Sequence, residues 1–101
     1  MGEKRITQLQ GVILGLLEAQ DWRYGLELVK ESGGLLKRGT IYVLLNRLED
    51  DGFIRSKVED AKPGQQGPPR RVYKVTGSGS RALTAYRLHA AAVNGLLGME
   101  G

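Results

Sequence analysis

The chain has 101 residues, and a chain of this length folds as a single domain that removes roughly two thirds of its unfolded surface from water. Its 41% hydrophobic and 26% charged residues are typical of globular proteins, which excludes a disordered chain and a low-complexity fibre. Because the sequence has no cysteine and one histidine, His89, we expect no disulfide, no thiol nucleophile, no bound metal and no cofactor. The net charge of +4 favours a polyanionic partner.

No apolar stretch of the sequence is long enough to span a membrane. The longest apolar run covers residues 12–17, whereas a membrane-spanning helix needs about 20 residues. Lys4 and Arg5 precede this run as in a signal peptide, but Glu18 and Asp21 follow it where small residues would mark a cleavage site. We therefore expect a protein of the reducing cytoplasm that is not attached to a membrane.

Apolar residues recur with helical spacing in the first half of the chain. Residues 7–20 follow the pattern i, i+3, i+4, i+7, and Thr7 with Gln10 has the spacing of a capping box at a helix start. Residues 38–51 repeat the pattern, and a short helix over 26–30 lies between the two. The first half of the chain is therefore predicted to form three helices.

The second half begins with a predicted β-hairpin. Residues 53–58 and 71–75 are rich in strand-forming residues, and the second segment alternates polar and apolar side chains. The connection over 59–70 is rich in proline and glycine and too long for a tight turn, so we expect an exposed loop. From Ser78 onward, apolar residues spaced three and four apart predict a fourth helix.

This order of elements is that of a winged helix-turn-helix, in which the hairpin is the wing. We expect a mainly α fold with a β-hairpin, in which residues 1–77 form a DNA-binding domain and residues 78–101 form a long C-terminal dimerisation helix packed on it. In such domains the third helix, here 38–51, enters the major groove, and the wing, here 59–71, contacts the backbone. Residues 52–81 carry seven basic and two acidic side chains, which concentrates positive charge in the wing.

The charges of the third helix oppose its macrodipole at both ends. Lys37 and Arg38 lie at its N-terminal end, where a helix favours anions, and Glu49, Asp50 and Asp51 lie at its C-terminal end, where it favours cations. A violation of a local rule often marks function. Two cations beside free backbone N–H groups are suited to bind phosphate, so we expect the N-terminal end to face DNA and the acidic end to face away.

Six short motifs occur in a fixed order between residues 12 and 83. They are Ile13-Leu14-Gly15-Leu16-Leu17, Tyr24-Gly25-Leu26-Glu27-Leu28, Gly39-Thr40-Ile41-Tyr42, Leu45-Asn46-Arg47-Leu48-Glu49, Gly52-Phe53-Ile54 and Arg70-Arg71-Val72-Tyr73-Lys74-Val75-Thr76, followed by Gly79 and Leu83. In this order and spacing they resemble the PadR-like family of winged-helix transcriptional regulators. The resemblance implies a homodimeric repressor whose third helix reads DNA and whose C-terminal helix dimerises.

The chain departs from the family pattern at three places. Val43 stands where a proline commonly follows the tyrosine, and Lys37-Arg38 stands where a Ser-Pro helix start is common. Some relatives bind drugs between their C-terminal helices through a tryptophan, but the single tryptophan here, Trp22, lies elsewhere. The resemblance therefore implies no ligand-sensing role, and the sequence identifies no small-molecule inducer.

The predicted DNA contacts lie before the second helix, at the start and along the outer face of the third helix, and in the wing. They are Tyr24, Lys37, Arg38, Thr40, Tyr42, Val43, Asn46, Lys62, Arg70 and Arg71. Base preference is predicted to depend on four outward positions, which are Arg38, Thr40, Val43 and Asn46. Phosphate contacts are expected from Lys37, Arg38, Arg70 and Arg71, which could otherwise form an ordinary solvated surface, and from Lys62 of the wing. Asn46 could read adenine, or it could lie too deep along the helix to reach a base. Tyr42 could instead pack against a neighbouring helix, and Tyr73 is expected to pack within the hairpin.

The fourth helix carries an apolar seam that is longer than one small domain needs, so we expect a dimer interface there. Its predicted members are Leu83, Tyr86, Ala90, Val93 and Leu97, together with Leu14 of the first helix. The alternative is that the seam packs on the first helix of the same chain, and one helix can also do both. A two-fold dimer would set two recognition helices about 34–36 Å apart, which predicts an inverted-repeat operator in double-stranded DNA.

Two other classes of function are open from the sequence alone. A winged helix can bind a protein instead of DNA, so the alternative is a protein interaction module without specific DNA binding. An enzyme is disfavoured because the sequence contains no nucleophile–base pair, no paired carboxylates in a cleft pattern and no phosphate-binding loop. We therefore expect no catalytic residue, and His89 is expected at a helix surface or beside a dimer interface.

Overall fold

The computed structural model describes residues 5–60, 63–64 and 67–99. Its elements in chain order are α1 (Gln8–Ala19), β1 (Arg23–Tyr24), α2 (Gly25–Glu31), α3 (Ile41–Asp50), β2 (Ile54–Glu59), β3 (Arg70–Val75) and α4 (Gly77–Met99). The prediction of a mainly α winged helix-turn-helix is confirmed, with α2 and α3 as the helix-turn-helix and β2 and β3 as the wing. No helix of the described part is both long and apolar enough to cross a membrane.

α1 begins at the capping box that the sequence predicts. The hydroxyl oxygen of Thr7 accepts a hydrogen bond from the Gln10 N–H at 3.2 Å, and the side-chain oxygen of Gln10 accepts one from the Thr7 N–H at 2.9 Å. This reciprocal pair satisfies two N–H groups that a helix start leaves without partners. Below the cap, the inner side chains Ile13 and Leu17 are completely buried.

α3 begins three residues later than the sequence predicts. The predicted start is residue 38, but the carbonyl oxygen of Lys37 accepts hydrogen bonds from the N–H groups of both Thr40 and Ile41. Residues 37–40 therefore form a turn, and the helix begins at Ile41 and ends at Asp50. Lys37 and Arg38 thus precede the helix instead of occupying its first turn.

The sheet has three strands, whereas the sequence predicts a two-stranded hairpin. Its order is β1-β3-β2 with antiparallel neighbours, so that Tyr73 of β3 pairs with Arg23 on one side and with Ser56 on the other. β1 has two residues, which is too few to show a period of two in the sequence. It forms because the edge of β3 offers backbone partners, and it ties the loop after α1 to the base of the wing.

Trp22, which precedes β1, lies against two lysines on the outer face of the wing. The ammonium nitrogen of Lys57 is 4.1 Å from the centre of the tryptophan ring, and that of Lys74 is 5.8 Å from it. Both distances are within the range of a cation–π interaction. Trp22 is also the one non-glycine residue of the described part with a left-handed φ, at +55°. These contacts fix the loop between α1 and α2 on the sheet.

The core is one cluster to which all four helices and the sheet contribute. Its most deeply buried side chains are Ile13, Leu14, Leu17, Leu28, Leu36, Ile41, Leu45, Leu48 and Leu83. Leu14 and Leu83 are 0% and 1% exposed, so the prediction that they belong to a dimer interface is wrong. Their own chain encloses both side chains and leaves no surface on them for a partner.

α4 is attached to the wing at its first turn. Gly79 comes so close to the neighbouring backbone that a Cβ atom there would lie 2.0 Å from the carbonyl oxygen of Phe53. The hydroxyl of Thr76 accepts a hydrogen bond from the Gly79 N–H at 3.1 Å and donates one to the Gly52 carbonyl at 2.7 Å. The start of α4 is therefore fixed relative to the end of α3 and the start of β2.

Candidate nucleic-acid interface

α3 has an exposed outer face opposite its buried stripe. Tyr42 is 45% exposed, Val43 is 60% exposed, and Asn46 is exposed as well. The outward positions that the sequence predicts within this helix therefore share one solvent-facing side. The side combines an aromatic ring, an apolar side chain and an amide, and these are groups that can contact base edges and sugars.

Tyr42 packs against α2 and also reaches solvent. A Cβ atom on Gly25, the first residue of α2, would lie 2.9 Å from Cε1 of Tyr42, so the ring lies directly on this glycine. Contact with DNA and packing on a neighbouring helix, the two roles predicted for Tyr42, are therefore compatible. Part of the ring packs on the neighbouring helix, and the remainder stays on the outer face of α3.

The turn before α3 is exposed and positively charged. Lys37, Arg38 and Thr40 all lie at the surface. Thr40, the residue before the helix, makes no side-chain hydrogen bond to the first turn, so no side chain caps α3 at this position. Because the first N–H groups of a helix lack partners within it, two cations beside this end make it suited to an anion such as phosphate.

Arg71 of the wing is linked to α3 through Ser56. The Arg71 guanidinium donates a hydrogen bond to the Ser56 hydroxyl at 2.8 Å, and this hydroxyl donates one to the Glu49 carboxylate at 2.6 Å. Tyr73 lies beside the same groups: burial raises the pKa of its phenol, Arg71 lowers it, and Tyr42 and Glu49 raise it further. The base of the wing and the end of α3 therefore form one connected polar cluster.

Arg70 lies over a second tyrosine. Its guanidinium carbon is 5.4 Å from the centre of the Tyr24 ring, and the Tyr24 hydroxyl donates a hydrogen bond of 2.6 Å to the Glu59 carboxylate. That bond, more than any other cause, raises the pKa of the Tyr24 phenol. Tyr24 thus uses its hydroxyl within the chain and supports Arg70. Lys62, the third predicted phosphate contact of the wing, lies outside the described residues.

Three residues form hydrogen bonds that hold the predicted DNA-binding side chains in place, although no sequence pattern predicts a role for them in DNA binding. They are Glu49, Ser56 and Glu59. Of these three residues, only Glu49 is unusual in the sequence, because it places a negative charge at the C-terminal end of a helix. No sequence pattern marks Ser56 or Glu59, since Arg71 is 15 residues from Ser56 along the chain and Tyr24 is 35 residues from Glu59.

The predicted seam of α4 divides between two environments. Tyr86 packs on α1, where a Cβ atom on Gly11 would lie 3.1 Å from its ring, and Ala90 is half-buried. Val93, farther along, is 41% exposed. The side chain of Leu97 lies outside the described residues. The first part of the seam therefore packs on the chain's own helix, and the later part faces solvent.

An open groove of about 780 Å³ lies between α4 and the end of α3. Its lining residues are Arg5, Ile6, Asp51, Phe53, Arg81, Ala82, Ala85, Tyr86 and His89. His89 is exposed on α4, as the sequence predicts for a helix-surface residue. Among the residues that the structure describes, no three side chains of the metal-binding types histidine, cysteine, aspartate and glutamate are grouped to hold a metal ion.

Comparison with known families identifies a matching family of transcriptional regulators. The model of the transcriptional regulator PadR-like family matches residues 13–85, which include the helix-turn-helix, the wing and the first part of α4. A search of curated proteins found no match. The matched range contains every described residue of the candidate interface.

Solved structures of similar fold include several transcription regulators. A PadR-like transcription factor from Bacteroides fragilis is 28% identical, with a TM-score of 0.77 over 92% of this chain and 89% of that chain. A PadR family transcription regulator from Clostridium difficile R20291 is 25% identical, with a TM-score of 0.75 over 92% and 97%. A PadR family transcriptional regulator from Eggerthella lenta DSM 2243 is 28% identical, with a TM-score of 0.75 over 90% and 79%.

Proposed function

Because the chain belongs to the PadR-like family of transcriptional regulators, we propose that it is a homodimeric repressor that binds a specific sequence of double-stranded DNA. The observation that carries the proposal is the exposed outer face of α3. Near its C-terminal end the same helix is connected to Arg71 of the wing, because the Ser56 hydroxyl donates a hydrogen bond to Glu49 and accepts one from Arg71. A helix that fits the major groove and the cation Arg71 are thus held together by side-chain hydrogen bonds. The proposed activity requires no cofactor, metal or catalytic residue, and its place of action is the cytoplasm.

In this proposal, α3 lies in the major groove, which is about 12 Å wide and accepts an α-helix. The outward positions before the helix and along its exposed face then face base edges. They are Arg38, Thr40, Val43 and Asn46. The Arg38 guanidinium suits the acceptors of guanine, and the Asn46 amide suits the donor and acceptor of adenine. The exposure of all four residues supports this arrangement.

The wing supplies affinity instead of sequence preference. Arg70, Arg71 and Lys62 bind phosphates that flank the groove, and Lys37 binds a phosphate at the start of α3. The logarithm of the DNA-binding constant falls linearly with the logarithm of the salt concentration, and each phosphate that is neutralised makes this fall steeper by about 0.9. The contacts of Arg70 with Tyr24 and of Arg71 with Ser56 support the proposal, because they limit the freedom that each side chain would lose on binding.

Dimerisation uses the solvent-facing part of α4. Val93 is 41% exposed and Ala90 allows close approach of a second helix, and we include Leu97 in the same interface. Tyr86 lies at its border with α1. A two-fold pair of chains would place two copies of α3 about 34–36 Å apart, so the operator would be an inverted repeat.

The proposal is tested by selecting bound sequences from random DNA and footprinting the protein on the selected site. We expect an inverted repeat whose affinity falls steeply with salt concentration. Arg38→Ala and Asn46→Ala should each weaken binding to the selected site more than to scrambled DNA. A promoter that contains the site should lose reporter expression when the protein is present.

Three results would contradict parts of this proposal. Failure to select any sequence would contradict specific DNA binding and favour a protein interaction module. An equal loss of affinity for selected and scrambled DNA would show that Arg38 and Asn46 contact phosphates instead of bases. An increase in reporter expression would contradict repression.

A further inference from the structure

The bonds among Glu49, Ser56 and Arg71 join three separate elements. Glu49 is in α3, Ser56 in β2 and Arg71 in β3. Ser56 is the central residue, because its hydroxyl accepts from Arg71 at 2.8 Å and donates to Glu49 at 2.6 Å. The single hydroxyl proton can go to one acceptor, and the carboxylate takes it. The oxygen is thereby left to accept from the guanidinium, which fixes the direction of both bonds.

The position of Glu49 is unfavourable for the helix that contains it. An anion in the last turn of a helix opposes the macrodipole, and α3 carries Glu49 within its last two residues. The hydrogen bond from Ser56 gives this carboxylate a partner outside the helix. The anion that looks misplaced in the sequence is therefore one end of the connection between α3 and the wing.

Arg71 retains the capacity to bind an anion while it is held. An arginine guanidinium has five N–H donors in a planar arrangement, and the side chain of Arg71 is exposed. One donor goes to Ser56. The other donors are compatible with a phosphate oxygen pair, and an arginine held in one direction loses less conformational freedom when it binds.

We propose that Glu49 and Ser56 are positioning residues for DNA binding, which orient Arg71 so that it meets a backbone phosphate when α3 occupies the major groove. This inference rests on the proposed function. Neither positioning residue contacts DNA. The base-reading helix and the phosphate-binding wing are coupled by side chains instead of by backbone pairing alone, so loss of the Ser56 hydroxyl weakens a contact that Arg71 makes.

The test is a double-mutant cycle measured with DNA of the selected sequence. Ser56→Thr and Ser56→Val form a matched pair, because they have the same shape and only threonine keeps the hydroxyl. We expect Ser56→Thr to bind like wild type and Ser56→Val to bind several-fold more weakly with an unchanged salt slope. Arg71→Ala should weaken binding about tenfold, the loss of one charged hydrogen bond, and reduce the salt slope by about 0.9.

The combination of Ser56→Val with Arg71→Ala should bind like Arg71→Ala alone, because no guanidinium remains to be oriented. Arg55→Ala is the charge control, since Arg55 is an exposed arginine of β2 whose side chain lies on the opposite face of the sheet from Ser56. It should leave the salt slope closer to that of wild type than Arg71→Ala does. Thermal unfolding of each variant separates altered binding from loss of the fold.

Three outcomes would overturn the inference while leaving specific DNA binding intact. They are equal binding by Ser56→Val and Ser56→Thr, effects of Ser56→Val and Arg71→Ala that multiply, and an Arg71→Ala variant with wild-type affinity and slope. Absence of specific binding by the wild-type protein would instead contradict the proposed function, and the inference would fall with it.

Discussion

The hydroxyl of Tyr24 donates a hydrogen bond of 2.6 Å to the carboxylate of Glu59, and this bond joins the residue before α2 to the last residue of β2. The two strands that hold them are not neighbours, because β3 lies between β1 and β2. The bond therefore passes over β3 and links β1 to the end of β2, where the wing loop begins. Arg70 lies over the same tyrosine ring.

The Tyr24–Glu59 bond should make stability depend on pH in the alkaline range. Because the bond raises the pKa of the Tyr24 phenol above its ordinary value near 10, the folded state favours the neutral phenol. Its contribution is complete below pH 10 and is lost as the pH rises through the raised pKa. Tyr24→Phe should therefore lower the melting temperature at pH 7, and the difference from wild type should disappear at alkaline pH.

The measurement is thermal unfolding of both proteins between pH 7 and pH 11. Ionisation of the other tyrosines is common to both proteins, so the difference between them isolates Tyr24. A difference in melting temperature that stays constant up to pH 11 would contradict this account. Tyr24→Phe keeps the ring on which Arg70 lies, so the salt slope of DNA binding should remain that of wild type.

Gly79 should tolerate no side chain, whereas Gly95 on the same helix should accept one. A Cβ atom at Gly79 would lie 2.0 Å from the Phe53 carbonyl oxygen, but one at Gly95 would meet no atom within 4 Å. Gly79→Ala must displace α4 from the wing, and we expect it to cost more than about 3 kcal/mol. Gly95→Ala should stabilise the protein by about 0.5–1 kcal/mol, since alanine favours a helix interior. Chemical denaturation gives both values, and a Gly79→Ala variant as stable as wild type would contradict the close contact.

Val43 should make one base pair of the operator sensitive to a single methyl group. The side chain is 60% exposed on the outer face of α3, and apolar side chains in the major groove contact the methyl group of thymine. Replacement of that thymine by uracil should weaken wild-type binding roughly three- to fourfold, as for about 0.8 kcal/mol of lost apolar burial. Val43→Ala should bind the two DNAs equally. If uracil has no effect at any operator position, Val43 does not contact a thymine methyl.

Val93→Glu should produce a folded monomer. Because Val93 is 41% exposed in the single chain, a glutamate there stays hydrated and should not disturb the fold. In a two-fold dimer it would lose water and face its own copy, so we expect the dimer to weaken at least about tenfold and DNA binding to fall with it. Sedimentation near micromolar concentration measures the association. Ala91→Glu, a charge on the opposite side of α4, should remain dimeric.

Two results would contradict the assignment of α4 to the interface. One is a wild-type protein that remains monomeric at high concentration. The other is a Val93→Glu variant that dimerises like Ala91→Glu.

Features that depend on neighbours in the chain were predictable from the sequence. The helices, the order of elements and the capping box of Thr7 and Gln10 follow from spacings of three and four residues, because a helix brings such residues together wherever it lies. The outward direction of Val43 and Asn46 followed from the same periodicity. Periodicity places the start of α3 three residues too early. It does not reveal the turn over residues 37–40, in which the Lys37 carbonyl accepts hydrogen bonds from the N–H groups of Thr40 and Ile41.

Features that depend on distant partners were decided by the tertiary structure. β1 exists because β3 offers it an edge, and Leu14 and Leu83 lie in the core because the α1 and α4 faces that carry them meet there instead of meeting a second chain. The connection from Glu49 through Ser56 to Arg71 likewise joins residues whose proximity no local pattern encodes. A hydrogen bond between side chains requires approach within about 3 Å, and only the packed positions of helix, strand and wing bring these groups so close.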